Sequence, residues 1–486
     1  MLGQSSWGTV RWLLAGIVVI VGVLAMPRFQ YVGDPLAIRA AAVNWLNTGR
    51  IDVPEEVALV TGQRGQYYFQ NPNNGRYYSK YGALNTVCYL PVLFLEKQLY
   101  GELPLYNIGP KRTLLLNVQN IVLSLVLALV LLELAHLYCG KPYLALLWVV
   151  ASLYASFGWN YLRAQTAEIW QWVLASCFVL FVMRLCRASE SRRWLILSQL
   201  SLILLILAKG VYALWGLVWI AILAGLAWRG SIDRRDWRWW LAALLPLAVG
   251  AAVVLGCNYF KFGDALASGY TQWERERHFF SGNAWTGLIG LLFSPDKSIF
   301  IYQPLLVFAL FYWPAFWRRW GLESAAILAA FALLLGLISC TINWGGHWSY
   351  GPRYLLAILS PLTLPVLLIE ENVCSKPFNW WKCSVMALIS AVLLFSTWMQ
   401  YQVNSLEFFT YYWVEGLVEA CNSQEAMAEL HRLPFGIVNY QLKRFAQTDC
   451  LPQFALTASK GLPSTAPAIV QSELLKLVNY NWYFWQ

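Results

Sequence analysis

The chain has 486 residues, of which 59% are hydrophobic and only 12% are charged. Soluble domains carry about 25% charged residues, so this composition excludes a water-soluble globular protein as well as a disordered one. The formal net charge is +10, which in a membrane protein reflects Lys and Arg on the cytoplasmic side rather than a nucleic-acid partner.

Eleven apolar runs approach the length of about 20 residues that a helix needs to cross a bilayer. The run at 194–208 is short, so its boundary near Lys209 is the least defined. The sequence thus predicts an all-α polytopic membrane protein with about eleven transmembrane helices. The runs lie near residues 10–27, 113–139, 142–158, 169–187, 194–208, 211–228, 239–260, 299–317, 322–340, 353–370 and 383–402.

The basic residues of the short loops predict the orientation of the chain. With a cytoplasmic N-terminus, each short outer loop contains a single cation, Arg163, Lys209 or Arg353. Because Lys and Arg collect on cytoplasmic loops, we predict an N-in, C-out topology. The cytoplasmic loops then hold Lys141, Arg184, Arg187, Arg192, Arg193, Arg229, Arg234, Arg235, Arg238, Arg318, Arg319, Lys376 and Lys382.

This topology divides the chain into a transmembrane module, residues 1–402, and an extracytoplasmic tail or small domain, residues 403–486. Two long loops of the module also lie outside, at 28–112 and at about 261–298. Within the first of these loops, two short amphipathic helices near 36–46 and 85–100 are expected to lie in the outer membrane interface.

The cysteines and histidines predict no metal site. No Cys-x-x-Cys pair occurs and the four His are scattered, so their spacing does not support zinc. Cys421 and Cys450 share the tail and are able to pair in an oxidising compartment, and the sequence leaves this pairing open.

An acid stands at the start of the first interfacial helix. Asp34, followed by Pro35, comes just after the first span. A carboxylate at the membrane surface can act as a base, with burial raising its pKa and a nearby cation lowering it. The alternative is a structural role, because Asp followed by Pro is a standard helix start.

A basic and aromatic segment, residues 76–82, precedes the second interfacial helix. It contains Tyr78, Lys80 and Tyr81. A cation among tyrosines at an interface can hold a lipid phosphate, and the alternative is an aromatic belt with a snorkelling lysine.

Two other outer loops carry polar groups. Arg163 and Glu168 flank one of them, where the cation either serves a function or pairs with the acid. The other, with glycine-punctuated stretches at 258–270 and 287–295, is typical of a segment that re-enters or lies on the membrane, or of a structural loop.

A run rich in Trp and Gly, residues 343–354, precedes a late span. Its Trp side chains can stack on sugars or prenyl chains, and Arg353 can hold a phosphate through two hydrogen bonds. The alternative is a tight aromatic turn. The candidate substrate-binding residues here are Trp344, His347, Trp348 and Tyr350.

Taken together, these residues give the chain a resemblance to a known family. An acid early in a long first outer loop, a Tyr-Ser-Lys-Tyr-Gly segment at 78–82 and the Trp-Gly-Gly run at 344–354 resemble those of the GT-C-type glycosyltransferases. The chain is similar to their bacterial mannosyltransferase and aminoarabinose-transferase-like branch. The resemblance covers roughly residues 1–400, and the tail has no counterpart.

The resemblance implies specific roles for the polar residues of the outer face. Asp34 would deprotonate the acceptor hydroxyl, and Lys80, Arg163 and Arg353 would bind the donor phosphate. Tyr78, Tyr81 and Glu168 are further candidates for substrate contact. Many relatives have a second acid next to the first, where this chain has Pro35, so a divalent metal has no support from the residues and metal dependence stays open.

The implied function is inverting transfer of a sugar from a polyprenyl-phosphate donor at the outer face of the bacterial cytoplasmic membrane. The partners would be membrane lipids, the donor, and a glycan, lipid or protein acceptor. No nucleotide is required, which fits the lack of a phosphate-binding Gly-rich loop. The alternatives are a flippase for polyprenyl-linked glycans and a ligase that transfers a whole glycan.

Overall fold

The computed structural model of the protein is almost entirely helical across the residues that it describes. Those residues are 2–27, 34–60, 67–105, 110–188, 191–231, 236–270, 280–295, 297–346, 349–369 and 380–404. The first α-helices are α1 (Leu2–Leu24), α2 (Asp34–Thr48), α3 (Glu55–Val60), α4 (Ala83–Tyr100), α5 (Pro110–His136), α6 (Pro142–Tyr154), α7 (Gly158–Arg163), α8 (Glu168–Arg187) and α9 (Arg192–Ala208).

The later α-helices are α10 (Trp215–Trp228), α11 (Trp237–Phe262), α12 (Ala284–Phe293), α13 (Ile299–Tyr302), α14 (Leu305–Arg319), α15 (Gly321–Ser339), α16 (Leu356–Leu362) and α17 (Trp380–Asn404). Short 3-10 helices lie at Gly210–Leu214, Arg353–Leu355 and Leu364–Leu368. Strands β1 (Tyr68–Gln70) and β2 (Tyr77–Ser79) form an antiparallel hairpin in the first outer loop, which the sequence did not predict.

Each predicted span coincides with helix, but some of these helices are short or broken. In the described part of the chain, seven helices have the length and apolarity needed to cross a membrane: α1, α5, α8, α10 with its preceding 3-10 turn, α11, α15 and α17. By contrast, α6 has 13 residues, and Pro361 and Pro365 interrupt the region after Arg353 with 3-10 geometry. A mostly helical fold with several helices able to cross a membrane is therefore observed, whereas the count of eleven and the orientation stay predictions.

The described parts of the segment between α1 and α5, which is the predicted first outer loop, pack against the helical bundle. Helix α2 was expected to lie in the membrane interface, but the protein buries most of it, including Ala37–Val43. The alanines at 40–42 present little bulk, so α4 and the hairpin approach α2 closely. Helix α4 keeps Phe94, Leu95 and Leu99 exposed, as an interfacial helix requires.

The glycine-punctuated stretch near 287–295 forms α12, which packs tightly against the bundle. A Cβ at Gly287 would lie 2.3 Å from the Ser339 carbonyl oxygen, and one at Gly290 would lie 2.1 Å from the Trp344 ring. These glycines therefore permit close packing, while Trp285 and Phe293 on the same helix remain exposed.

Candidate active site

Asp34 is the first residue of α2, and its side chain reaches across to the loop before α16. Its Oδ2 accepts a hydrogen bond from Arg353 Nη1 at 3.1 Å, although 319 residues separate the two in sequence. The two side chains are 19% and 17% exposed, so the ion pair is largely shielded from water. Asp34 thus starts a helix and also belongs to a charged cluster.

Arg353 stands between two acids. The same Nη1 lies 3.8 Å from Glu168 Oε1, and Nη2 donates to the Tyr354 hydroxyl at 3.4 Å. The loop comes this close through Gly346, whose φ of +76° favours glycine and where a Cβ would lie 3.1 Å from Arg353 Nε. Gly346, the second glycine of the Trp-Gly-Gly run, therefore leaves space for the Arg353 side chain.

Lys80 follows β2 and lies among tyrosines. Its backbone N–H donates to the Tyr67 carbonyl oxygen at 2.9 Å, which continues the hairpin beyond the strands. Its ammonium lies 4.6 Å from the Tyr67 ring centroid, 5.4 Å from that of Tyr81 and 5.5 Å from that of Tyr270. Cation–π contacts of this kind hold the ammonium in place among the three rings.

Lys209 is a third cation of the site. It lies between α9 and the 3-10 turn, and its Nζ is 4.1 Å from the Tyr354 ring centroid. Burial lowers the pKa of Lys209 to about 8, while the negative charge of Glu168 opposes the shift. This ammonium stays largely protonated at neutral pH and shares Tyr354 with Arg353.

The charges around Asp34 decide its protonation state. Burial alone would raise the pKa of Asp34, but Arg353, Lys80, the Tyr81 hydroxyl and Lys209 outweigh burial and hold the pKa below its ordinary value. Burial raises the pKa of Tyr81 well above its usual range, and the Asp34 charge adds to that effect. Asp34 is therefore ionised at neutral pH beside a Tyr81 that keeps its proton.

The Tyr81 hydroxyl stabilises the Asp34 carboxylate without a hydrogen bond of standard geometry. Within the described residues, Tyr81 Oη is buried and has no hydrogen-bond partner, and the same is true of Glu168 Oε2. We call Asp34, Lys80, Tyr81, Glu168, Lys209 and Arg353 the Asp34 cluster.

The Asp34 cluster combines a base with a site for an anion. Three cations face two carboxylates, so a phosphate placed among them would find an excess of positive charge. In a largely desolvated site such preorganised cations stabilise negative charge more strongly than they would in water. Among the described residues, no three His, Cys, Asp or Glu side chains come together as metal ligands.

The ends of two helices set this geometry. Asp34 begins α2 and Lys80 comes just before α4, while the buried Arg39 of α2 donates to Glu96 of α4 at 2.9 Å. Arg112 of α5 also donates to Glu96 at 2.9 Å. The ion pairs fix α2 against α4.

The structure places the other sequence-predicted residues elsewhere. Tyr78 packs its ring edge-on against Phe260, and Trp344 lies against α12. Arg163 donates to the Ala25 carbonyl oxygen at 2.8 Å and to Asn404 Oδ1 at 3.3 Å, between the ends of α1 and α17.

Tyr350 is also directed into the bundle, where its hydroxyl donates to Gln400 Oε1 at 2.9 Å. Its carbonyl oxygen accepts a hydrogen bond from the Tyr161 hydroxyl at 2.7 Å. His347, Trp348, Cys421 and Cys450 lie outside the described residues, as does the tail from residue 405.

Four residues of the site were not among the sequence candidates: Tyr67, Lys209, Tyr270 and Tyr354. Lys209 had a signal, since it is one of the three single cations of the short outer loops. Tyr270 and Tyr354 fall within the candidate stretches 258–270 and 343–354, whereas Tyr67 had no signal, because the chain has 26 tyrosines and many mark interfaces.

Comparisons with known proteins bear on the fold. No protein-family profile and no curated protein sequence matches the chain. The oligosaccharyltransferase of Archaeoglobus fulgidus in the apo form is similar, with a TM-score of 0.54 and 12% identity over 88% of this chain and 60% of that one.

AglB of the same organism, in complex with an inhibitory peptide and a dolichol-phosphate, has a TM-score of 0.52 and 10% identity over 88% of this chain and 60% of that one. ArnT of Cupriavidus metallidurans in the apo state has a TM-score of 0.49 and 15% identity over 98% of this chain and 76% of that one. The chain therefore has the GT-C fold of membrane glycosyltransferases, which the sequence resemblance predicted.

Proposed function

We propose that the chain is an inverting glycosyltransferase that moves a sugar from a polyprenyl-phosphate donor to an acceptor hydroxyl at the outer face of the bacterial cytoplasmic membrane. The observation that carries the proposal is the Asp34 cluster, in which an ionised carboxylate stands beside three cations. A transfer of this kind needs both a base and an anion site. The dolichol-phosphate bound to AglB, which shares the fold, supports this class of donor.

The proposed chemistry is a single displacement. Asp34 accepts the proton of the acceptor hydroxyl as its oxygen forms a bond to the anomeric carbon of the donor sugar. The bond from that carbon to the phosphate oxygen breaks, and the polyprenyl phosphate leaves with the electron pair. Lys80, Lys209 and Arg353 stabilise the negative charge that develops on the departing phosphate.

Arg353 connects donor binding to the strength of the base. Without a donor it pairs with Asp34 and keeps that carboxylate a weak base. A phosphate that binds Arg353 would compete with Asp34 for the guanidinium, and loss of this partner raises the pKa of Asp34. Asp34 thus becomes a stronger base when the donor is in place.

A pH profile tests this coupling. In Arg353→Gln, loss of the neighbouring charge is expected to raise the pKa of Asp34, so the acid limb of kcat/KM should move to higher pH. The enzyme needs ionised Asp34, so its activity is lost as pH falls through the pKa of Asp34. A higher pKa of Asp34 therefore moves the acid limb to higher pH. Arg50→Gln, which removes an exposed partner of Asp52, serves as the control and should leave the limb in place. An unmoved limb in Arg353→Gln would contradict the coupling.

Lys80→Met is expected to weaken binding of undecaprenyl phosphate by about tenfold to 100-fold, because a hydrogen bond to a charged group contributes about 1.5–3 kcal/mol. The measurement is a binding titration with purified protein in lipid nanodiscs. Arg76→Met removes an exposed cation of the same hairpin and should bind as tightly as wild type. Equal affinity in wild type and Lys80→Met would exclude Lys80 as a phosphate ligand.

The transfer itself is tested by mass spectrometry. Wild-type protein should co-purify with a polyprenyl phosphate, and incubation with a polyprenyl-phosphate sugar should yield a glycosylated acceptor. Movement of a lipid-linked glycan across sealed vesicles without a covalent product would favour a flippase instead. A whole glycan in the product would favour the ligase, an activity that the oligosaccharyltransferases of this fold exemplify.

A further inference from the structure

Lys261 is a buried lysine outside the Asp34 cluster. It lies in the last turn of α11 and is 9% exposed. Its Nζ donates at 2.6 Å to the carbonyl oxygen of Tyr81, a residue 180 positions earlier in the chain. Burial of an ammonium is costly unless hydrogen bonds replace those that it made to water. The hydrogen bond to the Tyr81 carbonyl offsets part of this cost.

The backbone that Lys261 contacts is also confined on its other sides. A Cβ at Gly269 would lie 2.2 Å from the Lys80 Cα, so the 269 loop rests directly on Lys80. On the other side, a Cβ at Gly82 would lie 2.1 Å from the Leu207 carbonyl oxygen. Asn85 adds a hydrogen bond from its Nδ2 to the Ala208 carbonyl oxygen at 2.8 Å.

The steric contacts and the hydrogen bond restrict different motions of this backbone segment. Steric contacts at Gly82 and Gly269 limit how far the backbone can move, but they do not set the direction of a peptide plane. The hydrogen bond from Lys261 does set it, because a carbonyl oxygen accepts along preferred directions in the peptide plane. The Tyr81–Gly82 peptide then orients the Tyr81 side chain toward Asp34 and the neighbouring Lys80 toward its tyrosines.

We propose that Lys261 is a positioning residue for the donor phosphate. Its hydrogen bond holds the Tyr81 carbonyl, and through that backbone it keeps the ammonium of Lys80 where the phosphate binds. This inference rests on the proposed function, since it takes Lys80 to be a phosphate ligand. Without Lys261 the Tyr81 carbonyl loses its buried partner, and the segment can relax away from the geometry that the phosphate requires. Lys261 itself does not touch the phosphate.

Lys97 provides a matched control. Its Nζ also donates to a backbone carbonyl oxygen at 2.6 Å, that of Leu46, and it joins α4 to α2 in the same outer region. Its contact lies toward the far ends of these helices, away from Asp34 and Lys80. Removal of either lysine should lower stability, but only removal of Lys261 should disturb the phosphate site.

The test measures binding of undecaprenyl phosphate to the full chain in nanodiscs, together with the melting temperature of each variant. Lys261→Met should weaken binding by about tenfold, the equivalent of about 1.4 kcal/mol, as expected for one hydrogen bond. Lys261→Arg keeps a cationic donor and should restore most of the affinity. Lys97→Met should melt earlier than wild type yet bind as tightly.

A transfer assay adds a second readout. Lys261→Met should raise KM for the donor, because Lys80 binds the donor phosphate less well when its backbone is not held in place. A purely structural lysine would instead reduce the active fraction and leave KM unchanged. Should Lys261→Met not fold, Lys261→Gln replaces it in both measurements.

The outcomes separate the two proposals. If Lys80→Met binds weakly and Lys261→Met binds like wild type, the positioning role is wrong and the proposed function stands. If wild type does not bind undecaprenyl phosphate, or Lys80→Met binds equally well, the phosphate site is wrong and the inference fails with it.

Discussion

Asp34→Asn should lower the rate of sugar transfer by about 10²–10⁴-fold, the contribution that a positioned general base typically makes. An amide cannot accept the acceptor proton, but it has nearly the same shape and can still accept a hydrogen bond from Arg353. The fold should therefore survive, although loss of the charge that faces Arg353 should lower the melting temperature. The loss should appear in kcat, measured as product formed from a polyprenyl-phosphate sugar by the protein in nanodiscs.

Asp264→Asn is the matched control for this loss. Asp264 is exposed after α11, and its Oδ1 accepts a hydrogen bond from the Leu266 N–H at 2.9 Å, which an Asn can also do. This variant should transfer at the wild-type rate. Full activity in Asp34→Asn would rule out Asp34 as the base, and Glu168 with its unpaired Oε2 would become the next residue to test.

Glu96→Gln is expected to destabilise the protein by about 3–5 kcal/mol, the effect of removing one partner of a buried ion pair. The Glu96 and Arg39 side chains are fully buried, and Arg112 contacts the same carboxylate oxygen. Neutralising the acid leaves the fully buried Arg39 without its counter-charge and also removes the charge that faces the partly exposed Arg112. Thermal melting in detergent should show a large decrease in stability.

Two further variants serve as comparisons for Glu96→Gln. Glu102→Gln changes an exposed acid just after α4 and should alter stability by no more than about 0.5 kcal/mol. The pair Arg39→Met with Glu96→Leu replaces charges with apolar groups and should lose less than Glu96→Gln alone. A Glu96→Gln protein that melts like wild type would show that the ion pairs do not hold α2 against α4.

Much of the site was predictable because polar groups are rare in this chain. Asp34, Lys80, Glu168 and Arg353 were recognised as outer-face residues from the apolar pattern and the charge bias, and the structure brings all four together. Polar side chains near the membrane carry a cost, so few positions are available for them. Lys209 was visible as a loop cation, but nothing in the sequence indicated that it meets Tyr354.

Tyr78 and Tyr81 illustrate a choice between two side chains that the sequence alone could not make. Tyr78 and Tyr81 are three residues apart in one aromatic segment, and both were substrate-binding candidates. The strand that ends at Ser79 directs Tyr78 toward Phe260, whereas Tyr81 follows the strand and faces Asp34. The hairpin was not predicted, so the choice between these two side chains was not available from the sequence.

The sequence by itself determined the class of protein and its apolar helical runs, and it predicted the face on which to search for chemistry. These properties follow from local composition, because the bilayer requires apolar helices and cytoplasmic loops collect Lys and Arg. Only the tertiary structure decided which polar residues meet. Asp34 and Arg353 are 319 residues apart, and Lys261 and Tyr81 are 180 apart. Such contacts depend on how whole helices pack, and that packing comes from buried ion pairs and close glycine contacts between segments distant in sequence.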